Sequence, residues 1–98
     1  MPTSSIAVTV TNDNWLDVVV YAVRGSMRVR IGEVTGNATS QLKIPVSVVV
    51  ANQVQLMVDP IGSTEHYLTD LINVDADQRV RLTVAPAVQM SSYAVSWR

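Results

Sequence analysis

Trp15 to Val34 reads WLDVVVYAVRGSMRVRIGEV, and this stretch decides the fold because it carries a β-hairpin signal at its centre. Gly25-Ser26 fits the two-residue loop of a type II′ turn, whose first position needs the positive φ that glycine adopts without steric cost. Counting outward from this turn pairs Ala22 with Val29 on an apolar face. The stretch therefore predicts two antiparallel strands with a defined register.

The alternation fails near the far end of the hairpin, where it would bring Glu33 rather than Val34 to the core face. One extra residue at Gly32 would return Val34 to the core, so we predict a β-bulge at Gly32. We expect the centre of the core to contain Val20, Ala22, Val29 and Ile31.

The composition agrees with a single all-β domain over residues 1–98. The chain is long enough to bury a core, and it has no cysteine for disulfides. Nineteen valines and eight threonines outweigh six leucines, and branching at Cβ favours strands over helices. We expect almost no helix.

Charge and hydropathy exclude several classes of partner. A net charge of −1 with 15% charged residues argues against nucleic acid or anionic lipid as a partner. The apolar runs, such as 48–51, are too short for a transmembrane segment, and residues 1–6 lack the pattern of a signal peptide. The chain is either a soluble domain as it stands or the mature part of an exported precursor.

Strand signals recur about every ten residues. Segment 46–52 interrupts them and suits a crossover or a single helical turn. This pattern is typical of an antiparallel Greek-key β-sandwich of seven to eight strands, and a small β-barrel is the alternative. Besides the two hairpin strands, the predicted strands cover residues 5–12, 39–44, 54–58, 66–74, 78–84 and 91–97.

The sequence offers no catalytic constellation. His66 is the only histidine, and no nucleophile-elbow sequence accompanies the serines. Asp75 and Asp77 share a turn, but two carboxylates are too few for calcium. We expect no enzyme activity, no metal site and no cofactor.

Aromatic and basic residues of the hairpin suggest a binding surface. Trp15 and Tyr21 are expected on the non-core face of the first hairpin strand, with Arg28 and Arg30 nearby and Arg30 stacked on the Tyr21 ring. A carbohydrate or a protein partner would fit this surface. The alternative is that the arginine stems cover an amphipathic face.

Arg79 and Arg81 form a second arginine pair, on the strand predicted at 78–84. Together the two pairs could form a basic stripe. We favour solvated faces instead, because acids such as Asp17 and Glu33 dilute a field of one sign.

The terminal strands lack the charges that normally protect a sheet edge. Residues 1–12 and 82–97 contain no charged side chain, and unprotected edges invite pairing with another chain. Tyr93, Val95 and Trp97 add an apolar row that its own domain or a neighbour must cover. We expect a homo-oligomer or filament formed through the terminal strands; the alternative is that both strands pair within their own sheet.

Four stretches resemble a group of small uncharacterised bacterial proteins that are exported, often as lipoproteins. They are TNDNWLDV at 11–18, VYAVRG at 20–25, RIGEVT at 30–35 and DPIGS at 59–63, the last followed by Tyr67. The resemblance implies an envelope or extracellular location, no known enzymatic activity and no binding residues to transfer. More loosely, the strand pattern is similar to that of transthyretin-like and immunoglobulin-like sandwiches.

These observations favour a non-enzymatic structural or assembly module that associates with itself through edge strands. The alternative function is a carbohydrate- or peptide-binding domain that uses the face of Trp15 and Tyr21.

Overall fold

The computed structural model describes residues 5–75 and 77–97. Within these ranges the chain forms two short 3-10 helices, at Val46–Val48 and Val88–Met90, and no α-helix. The strands are β1 (Ser5–Asn12), β2 (Val18–Arg24), β3 (Met27–Val34), β4 (Thr39–Pro45), β5 (Gln53–Pro60), β6 (Tyr67–Leu68), β7 (Ile72–Asn73), β8 (Gln78–Val84) and β9 (Ser92–Trp97).

The strands form two sheets that pack as a sandwich. The four-stranded sheet has the order β4-β1-β8-β9, and the five-stranded sheet has the order β3-β2-β5-β6, with β7 also beside β5. After the β2–β3 hairpin in the other sheet, β4 returns to lie beside β1, as in a Greek key. The predicted all-β sandwich is confirmed, and the sheets of the described residues do not close into the alternative barrel.

One strand pair departs from the predicted antiparallel arrangement. β1 and β8 are parallel, with Ala7 opposite Arg79 and Thr11 opposite Thr83. β4 occupies the other side of β1, so β8 fills the remaining side when the chain returns from the five-stranded sheet. The local alternation of β8 is the same for either strand direction, which is why the sequence could not distinguish them.

The core lies between the sheets and follows the period of two along each strand. The inward sets predicted for β1, β5 and β8 are confirmed as buried. These residues are Ile6, Val8, Val10, Val54, Leu56, Val58, Val80, Leu82 and Val84.

The hairpin has the predicted turn and the predicted register next to it. Gly25 has a φ of 58°, and Ala22 lies opposite Val29. The bulge is one residue earlier than predicted, at Ile31 rather than Gly32, because Tyr21 pairs with Arg30 and the next pair joins Val20 to Gly32.

A bulge at Ile31 gives the rest of β3 the same register that a bulge at Gly32 would give. Val34 is fully buried, as predicted, and lies opposite Val18. Gly32 leaves room for the Leu42 side chain of β4, which a Cβ atom at Gly32 would contact. Val29 and Ile31 are only half-buried against the core, so their predicted central place in it is wrong.

The strand predicted at 66–74 is split into β6 and β7 by Thr69. The backbone N–H of Thr69 donates to the carbonyl of Leu56 at 2.9 Å, and the N–H of Leu56 donates to the Thr69 side-chain hydroxyl at 3.0 Å. A hydroxyl thus replaces a backbone carbonyl in the ladder. This exchange interrupts regular pairing for the residues between β6 and β7.

The two terminal strands have different positions. β1 lies inside its sheet, between β4 and β8, so the prediction that it is an unprotected edge is wrong. Among the residues that the structure describes, β9 pairs only with β8 and is the edge strand that the sequence predicted.

Candidate functional site

The sandwich has four sheet edges, and they differ in how they are protected. β3 carries Arg28, Arg30 and Glu33 and contains the bulge. β4 carries Lys43 and ends at Pro45. The edge made by β6 and β7 consists of two-residue strands. Charges, bulges, prolines and very short strands are the features that prevent edge-to-edge pairing.

β9 has none of these features. Its six residues, SYAVSW, include no charge and no proline, and they pair with β8 without a break from Ser92 to Trp97. Its free side therefore presents unpaired backbone groups along a regular strand. This edge is the candidate site for strand addition.

The predicted row of Tyr93, Val95 and Trp97 does lie on one face of β9. The partners on β8 are Leu82 for Tyr93, Val80 for Val95 and Gln78 for Trp97. Tyr93 and Val95 are half-buried and pack against the core, so their own domain already covers most of them. Trp97 is 71% exposed and is the member of the row that a partner would cover.

Tyr67 on β6 and Tyr93 on β9 are both partly buried and pack against the core. Burial raises the pKa of the Tyr67 phenol on β6 above its ordinary value, and the nearby Tyr93 and Asp70 act in the same direction. The phenols of Tyr67 and Tyr93 are thus near enough to influence ionisation.

Three of the four predicted binding residues meet on the outer face of the five-stranded sheet. Tyr21 lies opposite Arg30, but Arg28 is the arginine over the Tyr21 ring, with 5.5 Å between its guanidinium carbon and the ring centroid. Arg30 instead pairs with Glu33 at 3.1 Å, across the bulge. The predicted stacking of Arg30 on Tyr21 is therefore wrong.

Trp15 does not share this face. It lies before β2, in the β1–β2 connection, and is 76% exposed. β2 begins only at Val18, so the strand alternation that was expected to align Trp15 with Tyr21 does not extend to it. The structure thus separates the two aromatic residues of the predicted surface.

A shallow cavity adjoins the Tyr21–Arg28 pair. It has a volume of about 140 Å³ and is lined by Arg28, Met57, Asp59 and His66. His66 is exposed here.

The TNDNWLDV stretch folds into a buried polar network at one end of the sandwich. The Asn12 side chain is fully buried, and its amide donates to the backbone carbonyls of Leu16, Thr35 and Val34 at 2.9, 3.2 and 3.3 Å. Its oxygen accepts from the N–H of Asn14 at 3.0 Å. One side chain thus joins the β1–β2 connection to the end of β3.

Asn14 and Asp17 extend the same network. The Asn14 amide donates to the carbonyl of Pro86 at 3.0 Å, and an Asp17 carboxylate oxygen accepts from the N–H of Gly36 at 2.9 Å. This network was not predicted from the sequence. The regular spacing of Asn12 and Asn14 was the available signal, because short amide side chains bond to nearby backbone groups.

Comparison with known proteins adds no assignment. No family model matches the chain, and no curated protein matches its sequence. The resemblance to exported bacterial proteins stays a prediction. No helix of residues 5–75 and 77–97 is long and apolar enough to cross a membrane.

Proposed function

We propose that this protein is a non-enzymatic assembly module that associates with a second copy of itself by strand addition at β9. The observation that carries this proposal is the contrast among the sheet edges: three are protected by charge, proline, a bulge or short length, and β9 is not.

Strand addition would satisfy the unpaired backbone groups of β9. Each hydrogen bond gained contributes about 0.5–1.5 kcal/mol net, so the ladder alone provides a modest affinity. Trp97, 71% exposed at the end of β9, would contribute apolar contact, and aromatic residues are enriched where proteins meet. Backbone pairing and this one aromatic anchor together make up the proposed interface.

A closed dimer is the arrangement that the edges favour. Pairing β9 with β9 of a second copy about a two-fold axis joins two four-stranded sheets into one continuous sheet. Pairing β9 with β4 would instead continue without closing and produce a filament. Lys43 and Pro45 on β4 oppose that second arrangement.

Light scattering over a range of protein concentrations tests the proposal with Ala94→Glu. Ala94 is exposed on β9 and lies opposite Arg81, so the new carboxylate charges the edge without entering the core. The control is Thr39→Glu, which adds the same charge to an exposed position on β4.

We expect a dimer for the parent and for Thr39→Glu, and a monomer for Ala94→Glu. Circular dichroism confirms that the variants keep their sheets. A parent that is monomeric at every concentration contradicts the proposal. If Thr39→Glu is monomeric while Ala94→Glu stays dimeric, the contact between the two copies lies on β4 and not on β9.

Carbohydrate or peptide binding is the second candidate function, supported by the Arg28–Tyr21 contact beside the cavity near His66. Tyr21→Ala separates the two candidates. Loss of ligand binding with unchanged self-association favours the binding role. Trp15→Ala serves as the comparison, because Trp15 lies away from that face.

For location we propose the bacterial envelope or exterior, on the basis of the resemblance to exported proteins. The codons upstream of Met1 in the native gene test this. A signal peptide ending in a lipid-attachment cysteine would support export, whereas an upstream stop codon in frame would contradict it.

A further inference from the structure

The outer face of the four-stranded sheet is polar, and all the charged side chains on its strands are positive. Strand register aligns Lys43, Ala7, Arg79 and Ser96 in one row across the sheet. The next row contains Gln41, Thr9, Arg81 and Ala94, and a third contains Thr39, Thr11, Thr83 and Ser92. We call the surface formed by these three rows the cationic face.

Acidic residues are excluded from the strands of this sheet. β1, β4, β8 and β9 contain Lys43, Arg79 and Arg81 but no Asp or Glu. Asp13 lies at one end of the face, after β1, and Asp75 and Asp77 lie at the other end, before β8. The net charge of −1 therefore conceals a separation of charge between this face and the rest of the chain.

Hydrogen bonds within the face hold both arginines in place. Arg79 donates to the Thr9 hydroxyl at 3.0 Å and to the Gln41 side-chain oxygen at 3.1 Å. Arg81 donates to the Ser96 hydroxyl at 3.3 Å. Within the described ranges, the one ion pair joins Arg30 to Glu33 on the other sheet. The cations of the cationic face thus keep charge and donors for an external anion.

We propose that the cationic face binds a linear acidic polysaccharide. Lys43 and Arg79 are separated by two strand spacings, about 10 Å, so they can contact successive charged groups of an extended chain. The threonine and serine hydroxyls between them can bond to sugar hydroxyls. Because Arg79 and Arg81 are already positioned, binding immobilises fewer side-chain rotamers.

The same face suits other polyanions less well. It carries no aromatic side chain in its three rows, so the bases of a single-stranded nucleic acid would have no surface for stacking. It also has no large apolar side chain to enter a lipid bilayer. Charge combined with hydroxyl groups is the chemistry of an acidic sugar polymer.

Calorimetric titration with polygalacturonate in about 50 mM salt tests this inference, since low ionic strength preserves surface electrostatics. We expect the parent to bind and the double variant Arg79→Gln/Arg81→Gln to bind about tenfold more weakly or worse, because charge-assisted hydrogen bonds are lost. The control, Arg24→Gln, removes one positive charge from an exposed position at the end of β2 in the five-stranded sheet and should bind like the parent.

Lys43→Gln provides a second variant that leaves the Arg79 hydrogen bonds intact, and it should also weaken binding. Neutral dextran should not bind. The inference is overturned if the parent does not bind polygalacturonate, if the Arg24→Gln control loses as much affinity as Lys43→Gln, or if single-stranded DNA binds more tightly than the polysaccharide. Light scattering on Arg79→Gln/Arg81→Gln shows whether this variant still forms the dimer at β9. A variant that remains dimeric but binds polysaccharide weakly separates the two proposals.

Discussion

Gly36 lies directly against the backbone carbonyl of Trp15, and a Cβ atom at this position would overlap with that carbonyl group. The Gly36 N–H also donates to Asp17 at 2.9 Å, so the backbone cannot move away without losing a hydrogen bond. We therefore expect Gly36→Ala to lower the free energy of unfolding by about 1–3 kcal/mol, as is usual for overpacking.

Urea unfolding measures this effect. Thr35→Ala is the control, because Thr35 is the exposed neighbour, and it should change stability by less than about 0.5 kcal/mol. Equal stability of Gly36→Ala and the parent would contradict the close contact.

The second prediction concerns the buried Asn12. Asn12→Ala removes the donor to three backbone carbonyls and the acceptor for the Asn14 N–H. Unsatisfied buried polar groups are costly, so we expect a loss of about 2–4 kcal/mol in the free energy of unfolding.

Asn73→Ala is the matched control in the same urea experiment. Its side-chain oxygen accepts one exposed hydrogen bond, from Gln53 at 3.0 Å, and its removal should cost less than about 0.5 kcal/mol. A mild effect of Asn12→Ala would mean that water replaces the side chain in the network.

The third prediction compares two positions in the hairpin. Val20 is fully buried, whereas Ile31 occupies the bulge and is half-buried. We expect Val20→Ala to cost about 2–3 kcal/mol and Ile31→Ala about 1 kcal/mol, although isoleucine loses more atoms, because the cost depends on burial. Thermal unfolding of both variants checks this order. If Ile31→Ala is the less stable variant, Ile31 is packed in the core and not in the bulge.

The fourth prediction concerns stability at alkaline pH. Burial, Tyr93 and Asp70 raise the folded-state pKa of Tyr67 above its unfolded value. The folded state therefore retains the phenol proton more strongly than the unfolded state. The contribution of this difference to the free energy of unfolding is fully present below about pH 10 and is lost as pH rises through the raised pKa.

Absorption of the phenolate and unfolding free energies between about pH 9 and 12 measure this effect. Tyr67→Phe should remove this contribution to the alkaline loss of stability. Asp70→Asn should bring the pKa of Tyr67 closer to its ordinary value. A parent and a Tyr67→Phe variant with identical alkaline profiles would contradict the prediction.

Sequence alone predicted the elements whose evidence is local. Alternation identified β1 and β8 with the observed bounds, and the turn chemistry of Gly25 set the register around Ala22. The bulge was misplaced by one residue because an insertion at Ile31 or at Gly32 restores the same alternation up to Val34.

Features that depend on distant partners were not predictable. Nothing near Thr69 in the sequence indicates that its hydroxyl replaces a carbonyl in the ladder with Leu56. The arginine pairs have the same spacing, yet Arg30 meets Glu33 while Arg79 meets Thr9 and Gln41. Glu33 is only three residues from Arg30 in the chain, whereas the partners of Arg79 lie on other strands and depend on the strand arrangement.

The parallel pairing of β1 with β8 also constrains how the chain folds during synthesis. Ala7 must wait for Arg79, 72 positions later, before its strand has neighbours on both sides. Until then β1 can pair only with β4, and its apolar face is covered incompletely. Long-range pairing of this kind slows folding and prolongs exposure of strand edges. The nascent protein therefore depends on residues 78–84 to complete the sheet in which β1 lies.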